Sequence, residues 1–385
     1  MITILEPTGD LATPPSPAPS AALPAAPSAV PPSGPTAVPT AVPLGELPCG
    51  PTARPLGELS SVPADGLSAV PGCVCPVPDG PEQRLTSTVP RELVHRAAVA
   101  EVFLTGMCRP AEDRFHVTAQ LPRGHSFFTP IAGTHYDPMM VCETIRQVGS
   151  YIAHEGFGVP LGHQFLLWGL DYTTVPENLV IGDTPASLDL EVTCSEIRMR
   201  GKHLQALRYK VVMRHEGVVV ATGDVGYTVT SPAVYRRLRA EQLGRRPLPS
   251  LPSAPLQPAQ VGRFSPFDVV LAATSPADTG VTWQLRYDTR HPVLFDHPGD
   301  HLPGMVLLEA ARQAAVALTP APAVMPVSVV STYQRYAEFG TPLWIHAVRT
   351  GPATVRVTGT QDDEEVFLAV VGTGQVRAMP FEMTP

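Results

Sequence analysis

The sequence predicts an α+β protein built from two tandem copies of one plan, a long buried helix followed by several antiparallel strands. Three observations point there. Two apolar helical segments, HYDPMMVCETIRQVG (135–149) and HLPGMVLLEAARQAA (301–315), each precede a run of strand-like segments. A shift of 166 residues lays His125 on His291, Gly133 on Gly299, His135 on His301 and Met139 on Met305. The same shift lays Glu143, Arg146 and Gln147 on Glu309, Arg312 and Gln313. One or two such matches could be chance, but this many around one helix mark an internal repeat.

Residues 1–85 are a different material from the rest, dominated by Pro, Ala, Ser, Val and Gly, with PLGEL at 43–47 echoed at 55–59. Proline removes backbone donors and bars helix interiors, so this stretch is expected to be a disordered extension. A first domain is expected over 86–235. VHRAAVAEVFLTG reads as the opening of a strand and FHVTAQLP (115–122) alternates as a strand does. Asp137 and Pro138 are a good N-cap and first helical residue, and the helix is expected to reach about Ala153. Four strands should follow, over 163–175, 186–201, 202–217 and 218–229, rich in Val, Leu, Tyr and Thr and bounded by turn residues. A charged, then Pro-rich, linker is read over 236–260 and a second domain over 261–380. There, VTWQLRYD (281–288) is a strand, 304–318 a helix, and 324–339, 341–351, 354–361 and 364–376 are strands.

At 385 residues and 44% hydrophobic, the chain has material for two or three cores, with little charge at 16%. The net charge of −8 and the lack of a basic patch argue against a nucleic-acid binder. No apolar run reaches membrane-spanning length and no leader pattern opens the chain; a cytoplasmic setting is expected. Of the six cysteines only Cys73 and Cys75 are close, so no zinc-ligand spacing appears and no metal is expected. Cys142 falls on Leu308 in the other repeat, which reads as an apolar packing site rather than a nucleophile.

The polar residues of the two helices are the functional signal. Glu309, Arg312 and Gln313 share one helix face on a segment otherwise apolar all round, hence buried. A buried carboxylate and guanidinium are costly unless paired, and an isolated rim pair has no physical reason to recur in both repeats. Either the pair is structural or the strip faces a substrate channel; the duplication favours the channel. Histidine titrates near neutrality, so His297 and His301, with His291 in the same loop, and His135 before the first helix are candidates for acid–base work. The greater number of histidines before the second helix tilts the choice of live site toward the second repeat.

The stretch HPGDHLPGMVLLEAARQA (297–314) resembles the His…Pro-Gly-Val-Leu…Glu-Ala…Gln-Ala pattern of hotdog β-hydroxyacyl-carrier-protein dehydratases. It is more similar to the A-factor synthase family of γ-butyrolactone biosynthesis, with two hotdog repeats that each carry E-x-x-R-Q. The resemblance covers about residues 91–378. It implies two hotdog domains in tandem, each an antiparallel sheet wrapped around a central helix, packed as a pseudo-dimer. It also implies that a β-ketoacyl group passes from an acyl carrier protein thioester to dihydroxyacetone phosphate, without a cofactor. The shorter spacing from His297 to Gly304 and the presence of Arg312 set the chain apart from simple dehydratases. On that reading Glu309 or Glu143 is the base or orienter and His297, His301 or His135 the proton partner. Arg312 or Arg146, with Gln313 and Gln147, binds substrate. Backbone N–H groups at the helix start, Gly304, face the thioester carbonyl. The alternatives are a dehydratase, a thioesterase or a non-catalytic acyl-binding protein.

Overall fold

The computed structural model describes residues 87–244, 254–273, 281–319, 321 and 323–376. The Pro/Ala-rich extension and part of the expected linker (245–253) lie outside the described residues. The first repeat runs β1 (Leu104–Ala111), β2 (Arg114–Leu121), α1 (Pro138–Tyr151), β3 (Gln164–Thr174), β4 (Ala186–Arg200), β5 (His203–His215) and β6 (Val218–Thr230). Two short helices, α2 (Pro232–Leu238) and α3 (Ala240–Gly244), follow it. The second runs β7 (Leu271–Ala273), β8 (Thr282–Leu285), α4 (Gly304–Ala317), β9 (Val324–Tyr333), β10 (Leu343–Gly351), β11 (Thr354–Gln361) and β12 (Glu364–Gln375).

All strands join one twelve-stranded sheet in the order β1-β2-β4-β5-β6-β3-β9-β12-β11-β10-β8-β7. The order is the same read outward from the middle in either direction, so the repeats are related as the halves of a two-fold dimer. Each half curls its strands around its own helix, as the hotdog resemblance implies, with α1 against β1, β2, β3 and β6 and α4 against β7, β10, β11 and β12. Strand alternation sets which face is inward: β4 buries Ala186, Leu188, Leu190, Val192 and Cys194 and exposes the residues between them.

The central seam is narrow. Tyr172 pairs with Val329 and Thr173 with Ser328. Ser331 extends the ladder with its side chain, donating from Oγ to the Leu170 carbonyl at 2.7 Å and accepting the Leu170 amide at 3.2 Å. Gly169 sits so close that a Cβ there would lie 2.6 Å from the Ser331 carbonyl oxygen.

The two helices begin differently. Asp137 caps α1, its carboxylate accepting the Met139 amide at 2.9 Å, with Pro138 at the first position. α4 starts after Pro303 without a side-chain cap. Gly304 is held small by the Tyr333 ring, 3.2 Å from where a Cβ would stand.

Two expectations change. VHRAAVAEVFLTG extends only from Leu104; before it, 3-10 turns at 91–94 and 99–101 carry the chain inward. They do so because the Arg96 side chain is drawn to the buried Glu143. The charged segment after Tyr235 does not start as linker. Arg239 is buried, bonded to Asp300 and Glu338 and lying 4.3 Å from the centre of the Tyr336 ring, and this pins α2 and α3 to the second repeat.

Candidate active site

Each helix carries its carboxylate at its most buried point, where both Glu143 and Glu309 are 0% exposed. The sequence pairs each with one arginine a turn away, but the fold supplies a second from far upstream. Glu309 accepts Arg263 Nε and Nη2 at 2.8 and 2.6 Å, Arg312 Nε and Nη2 at 2.9 Å each, and Gln313 Nε2 at 2.6 Å. Glu143 accepts Arg96 Nε at 2.9 Å, Arg146 Nε and Nη2 at 2.8 and 2.7 Å, and Gln147 Nε2 at 2.8 Å, with Arg96 Nη2 in ion-pair contact at 2.6 Å. Five donors meet the Glu309 carboxylate, a group with about four lone-pair directions. Burial alone would raise both carboxyls; for Glu143 the fields of Arg146 and Arg96, and for Glu309 those of Arg263 and Arg312, outweigh it and hold each at about 2. Each carboxylate is fully buried and wrapped by two guanidiniums and a glutamine amide, which speaks for the orienting role of Glu143 or Glu309 rather than for the base.

Gln147 and Gln313 also bond to backbone. Gln147 donates to the Glu101 carbonyl at 2.7 Å and accepts the Phe103 amide at 3.0 Å. Gln313 does the same with Asp268 and Val270, at 2.8 and 3.0 Å. Both are fully buried and fasten the helix to the chain just ahead of its sheet. The upstream arginines cross between repeats: Arg96 Nη1 donates to the Val293 carbonyl at 3.1 Å and Arg263 Nη1 to the Phe127 carbonyl at 2.7 Å.

The symmetry breaks at three places. Arg263 also pairs with Asp137 at 3.0 Å; the residue that the repeat aligns with Asp137 is Pro303. Among the described residues, two guanidiniums therefore meet two carboxylates around Glu309, but two meet only one in ion-pair contact around Glu143. The Arg146 side chain is 23% exposed, against 3% for Arg312. Of the fourteen residues of α1 it is the one not buried. Finally, Arg146 Nη2 donates to the Val94 carbonyl at 3.0 Å, beside His95, whereas Arg312 donates to the Val261 carbonyl at 2.9 Å, beside Gly262.

The candidate histidines separate. His135 is buried, bonded to Thr134 Oγ1 at 2.8 Å, and burial pushes its pKa down. No hydrogen bond or ion pair joins it to Glu143 among the described residues. His291 is structural: Nδ1 accepts the Val293 and Leu294 amides at 3.2 and 3.0 Å while Nε2 meets Asp268 at 3.2 Å. His125 repeats this on Phe127, Phe128 and Glu101. His301 bonds through Nδ1 to Asp300 at 2.7 Å, and Asp300 also accepts Tyr235 Oη at 2.8 Å. Burial would raise the Asp300 carboxyl, but His301 and Tyr235 hold it below the usual carboxylate range. His297 is 53% exposed and acts electrostatically on His95 in the other repeat. Neighbouring Asp296 accepts the Ala97 and Ala98 amides at 2.5 and 3.0 Å, which clamps the second loop onto the first repeat. The Asp296 end of this loop thus packs on the first repeat, while His291 and His301 bond within the second.

Sequence reading missed Arg96, Arg263, His95 and His154. A signal existed for the arginines. V-H-R-x4-E-V-F (94–103) matches V-G-R-x4-D-V-V (261–270), but at a shift of 167, one residue out of step with the helices.

The family model described as the A-factor biosynthesis hotdog domain (AfsA) matches residues 79–231 and 249–378, one segment per repeat. A 2-oxo-3-(phosphooxy)propyl 3-oxoalkanoate synthase of Streptomyces virginiae is 54% identical over 297 residues, 75% of this chain and 98% of that one. The protein of the same name from Streptomyces coelicolor is 45% identical over 290 residues, 74% and 90%. Among solved structures, an acyl-ACP thioesterase from Bacteroides thetaiotaomicron aligns at a TM-score of 0.42 and 11% identity, over 67% of this chain and 98% of that one. With both repeats matched and relatives covered nearly end to end, the chain belongs to the A-factor biosynthesis hotdog family.

Proposed function

We propose that the protein is a 2-oxo-3-(phosphooxy)propyl 3-oxoalkanoate synthase. It transfers a β-ketoacyl group from an acyl carrier protein thioester to a hydroxyl of dihydroxyacetone phosphate, on the way to a γ-butyrolactone signal. The observation that carries the reading is the Glu143–Arg96–Arg146 centre, in which a partly exposed guanidinium is held rigid by a buried carboxylate. Guanidinium forks suit phosphate, and a site with more cationic than anionic contacts suits an anionic acceptor substrate. The high identity to synthases of this name supports the same conclusion.

In this scheme Arg146 receives the phosphate and Glu143 orients it. The uncapped start of α4 at Gly304 offers backbone N–H groups to the carbonyl oxygen as charge develops there. His297 and His301 stand in the loop that feeds this end of the site. Glu309, Arg312 and Gln313 form the matching but closed centre. The reaction needs no covalent enzyme intermediate and no cofactor. We place it in the cytoplasm, without nucleic-acid or membrane partners; among the described residues no helix is long and apolar enough to cross a membrane. The two domains are proposed over 86–235 and 261–380, with the segment after Tyr235 tied to the second through Arg239.

The test is to supply β-ketoacyl carrier protein with and without dihydroxyacetone phosphate and to identify products by mass spectrometry. A phosphate ester formed only with the acceptor is the expected result. Free acid, enoyl thioester or no product points instead to a thioesterase, a dehydratase or a binding protein.

A further inference from the structure

We propose that His95, positioned by His154, is the proton acceptor for the attacking hydroxyl at a single live site on the first repeat. The proposal rests on the acyltransferase reading above and names the residue that reading leaves without a base.

His95 stands where the repeat puts Gly262. Both residues adopt the left-handed conformation, at φ of 54° and 64°. Glycine takes that conformation without strain, whereas a residue with a Cβ avoids it. The first repeat has thus placed a histidine in a glycine position, right beside the Val94 carbonyl held by Arg146. The second repeat has no such side chain.

The ring is held from one side. His154 Nδ1 lies 2.7 Å from the Val159 carbonyl, a pure acceptor, so that nitrogen carries the proton and donates. His154 Nε2 is therefore a lone pair, and His95 Nε2–H, 2.8 Å away, donates to it. That leaves a lone pair on His95 Nδ1, which makes no hydrogen bond among the described residues. Phe165 packs edge-on against both imidazoles, with ring centroids 4.9 and 5.4 Å away. The chain Val159–His154–His95 fixes tautomer and orientation in the way a carboxylate fixes the histidine of a hydrolase.

The electrostatics make this acceptor responsive to substrate. Burial, then Arg146, His154 and His297, push the His95 pKa down to about 3, so the ring is neutral and weakly basic when the site is vacant. A phosphate dianion docked on Arg146 offsets the field of Arg146 and His297, and the imidazole gains proton affinity only once the acceptor is seated. The hydroxyl oxygen then bonds to the thioester carbon while its proton passes to His95 Nδ1. As the tetrahedral intermediate collapses, the C–S bond breaks and the proton moves from His95 to the departing sulfur. One ester and one thiol form, and the enzyme is unchanged.

His95→Gly is the test, because it installs the residue that the second repeat uses in the same backbone conformation and so preserves folding. Ester formation is measured with β-ketoacyl carrier protein and dihydroxyacetone phosphate, with and without added imidazole. The expected result is a kcat lower by roughly 100-fold or more, an acceptor KM within a few-fold of wild type, and recovery of roughly tenfold with imidazole. A kcat within about threefold of wild type overturns the proposal, as does a loss that imidazole leaves untouched while the thermal midpoint is preserved. His154→Phe, which keeps the ring volume but removes the acceptor, is expected to lower kcat without raising acceptor KM; unchanged kcat overturns the positioning role. If the wild-type protein forms no ester, the acyltransferase reading has failed, an outcome distinct from active wild type with an equally active His95→Gly.

Discussion

Glu309→Gln measures what holds the second centre together. The carboxylate receives five donors from Arg263, Arg312 and Gln313, all within 2.9 Å. The Arg263 and Arg312 side chains are 1% and 3% exposed. An amide in its place offers one acceptor oxygen and turns an NH2 group toward guanidinium donors. Asp137 still balances Arg263, but Arg312 is left with the Val261 carbonyl alone. Breaking a buried pair by removing one partner costs about 3–5 kcal/mol, because a desolvated charge is left uncompensated. For a folded unit larger than about 250 residues that is a fall of about 5–9 °C in thermal midpoint. The assay is thermal unfolding followed by calorimetry, with urea titration as a second probe. Glu143→Gln is expected to fall less, since water reaches Arg146 at 23% side-chain exposure. If the charge balance is the cause, replacing Glu309 and Arg312 together by Leu and Met, which leaves the Arg263–Asp137 pair intact, recovers most of the loss. A midpoint within about 2 °C of wild type for Glu309→Gln would refute the reasoning.

Further outcomes follow from the same geometry. Arg146→Ala is expected to raise the KM for dihydroxyacetone phosphate by about tenfold or more with little change in thermal midpoint, whereas Arg312→Ala lowers the midpoint; kinetics and melting of both variants check the contrast, and equal KM values refute it. Acid should destabilise the fold. Folded Glu143 and Glu309 hold no proton until about pH 2 against an ordinary 4.5, and folded His95 none until about 3 against 6.5. The unfolded chain therefore binds more protons below pH 6.5, and stability falls as pH drops from there toward 2. Urea midpoints measured from pH 7 to 4 check this, and a flat profile contradicts it. Gly169→Ala sets a methyl against the Ser331 carbonyl, a backbone atom that cannot swing away, at the narrow seam between repeats. A loss of about 1–3 kcal/mol in chemical unfolding is expected, and no loss would mean that the seam adjusts freely.

The two long helices, the Asp137–Pro138 start of the first and most of the strands were legible in the sequence because each rests on local chemistry; α2, α3 and β7 were not. Asp137-Pro138 opens a helix by itself, alternation in 186–201 reports which residues face inward, and E-x-x-R-Q places three polar side chains on one face whatever surrounds them. The repeat itself told that the chain folds as two equivalent units. Only tertiary structure decided what the polar strip touches. Arg96 and Arg263 reach their glutamates across 47 and 46 residues, through turns with no periodicity to announce them. Asp137 meets Arg263, whereas its counterpart Pro303 brings Arg96 no carboxylate, a difference of one residue that acquires meaning only when the repeats pack together. The same packing clamps Asp296 of the second repeat's loop onto the Ala97 and Ala98 amides of the first. Helix and strand follow from neighbours along the chain, whereas charge balance at a buried centre depends on groups that only the closed fold brings within a few ångströms.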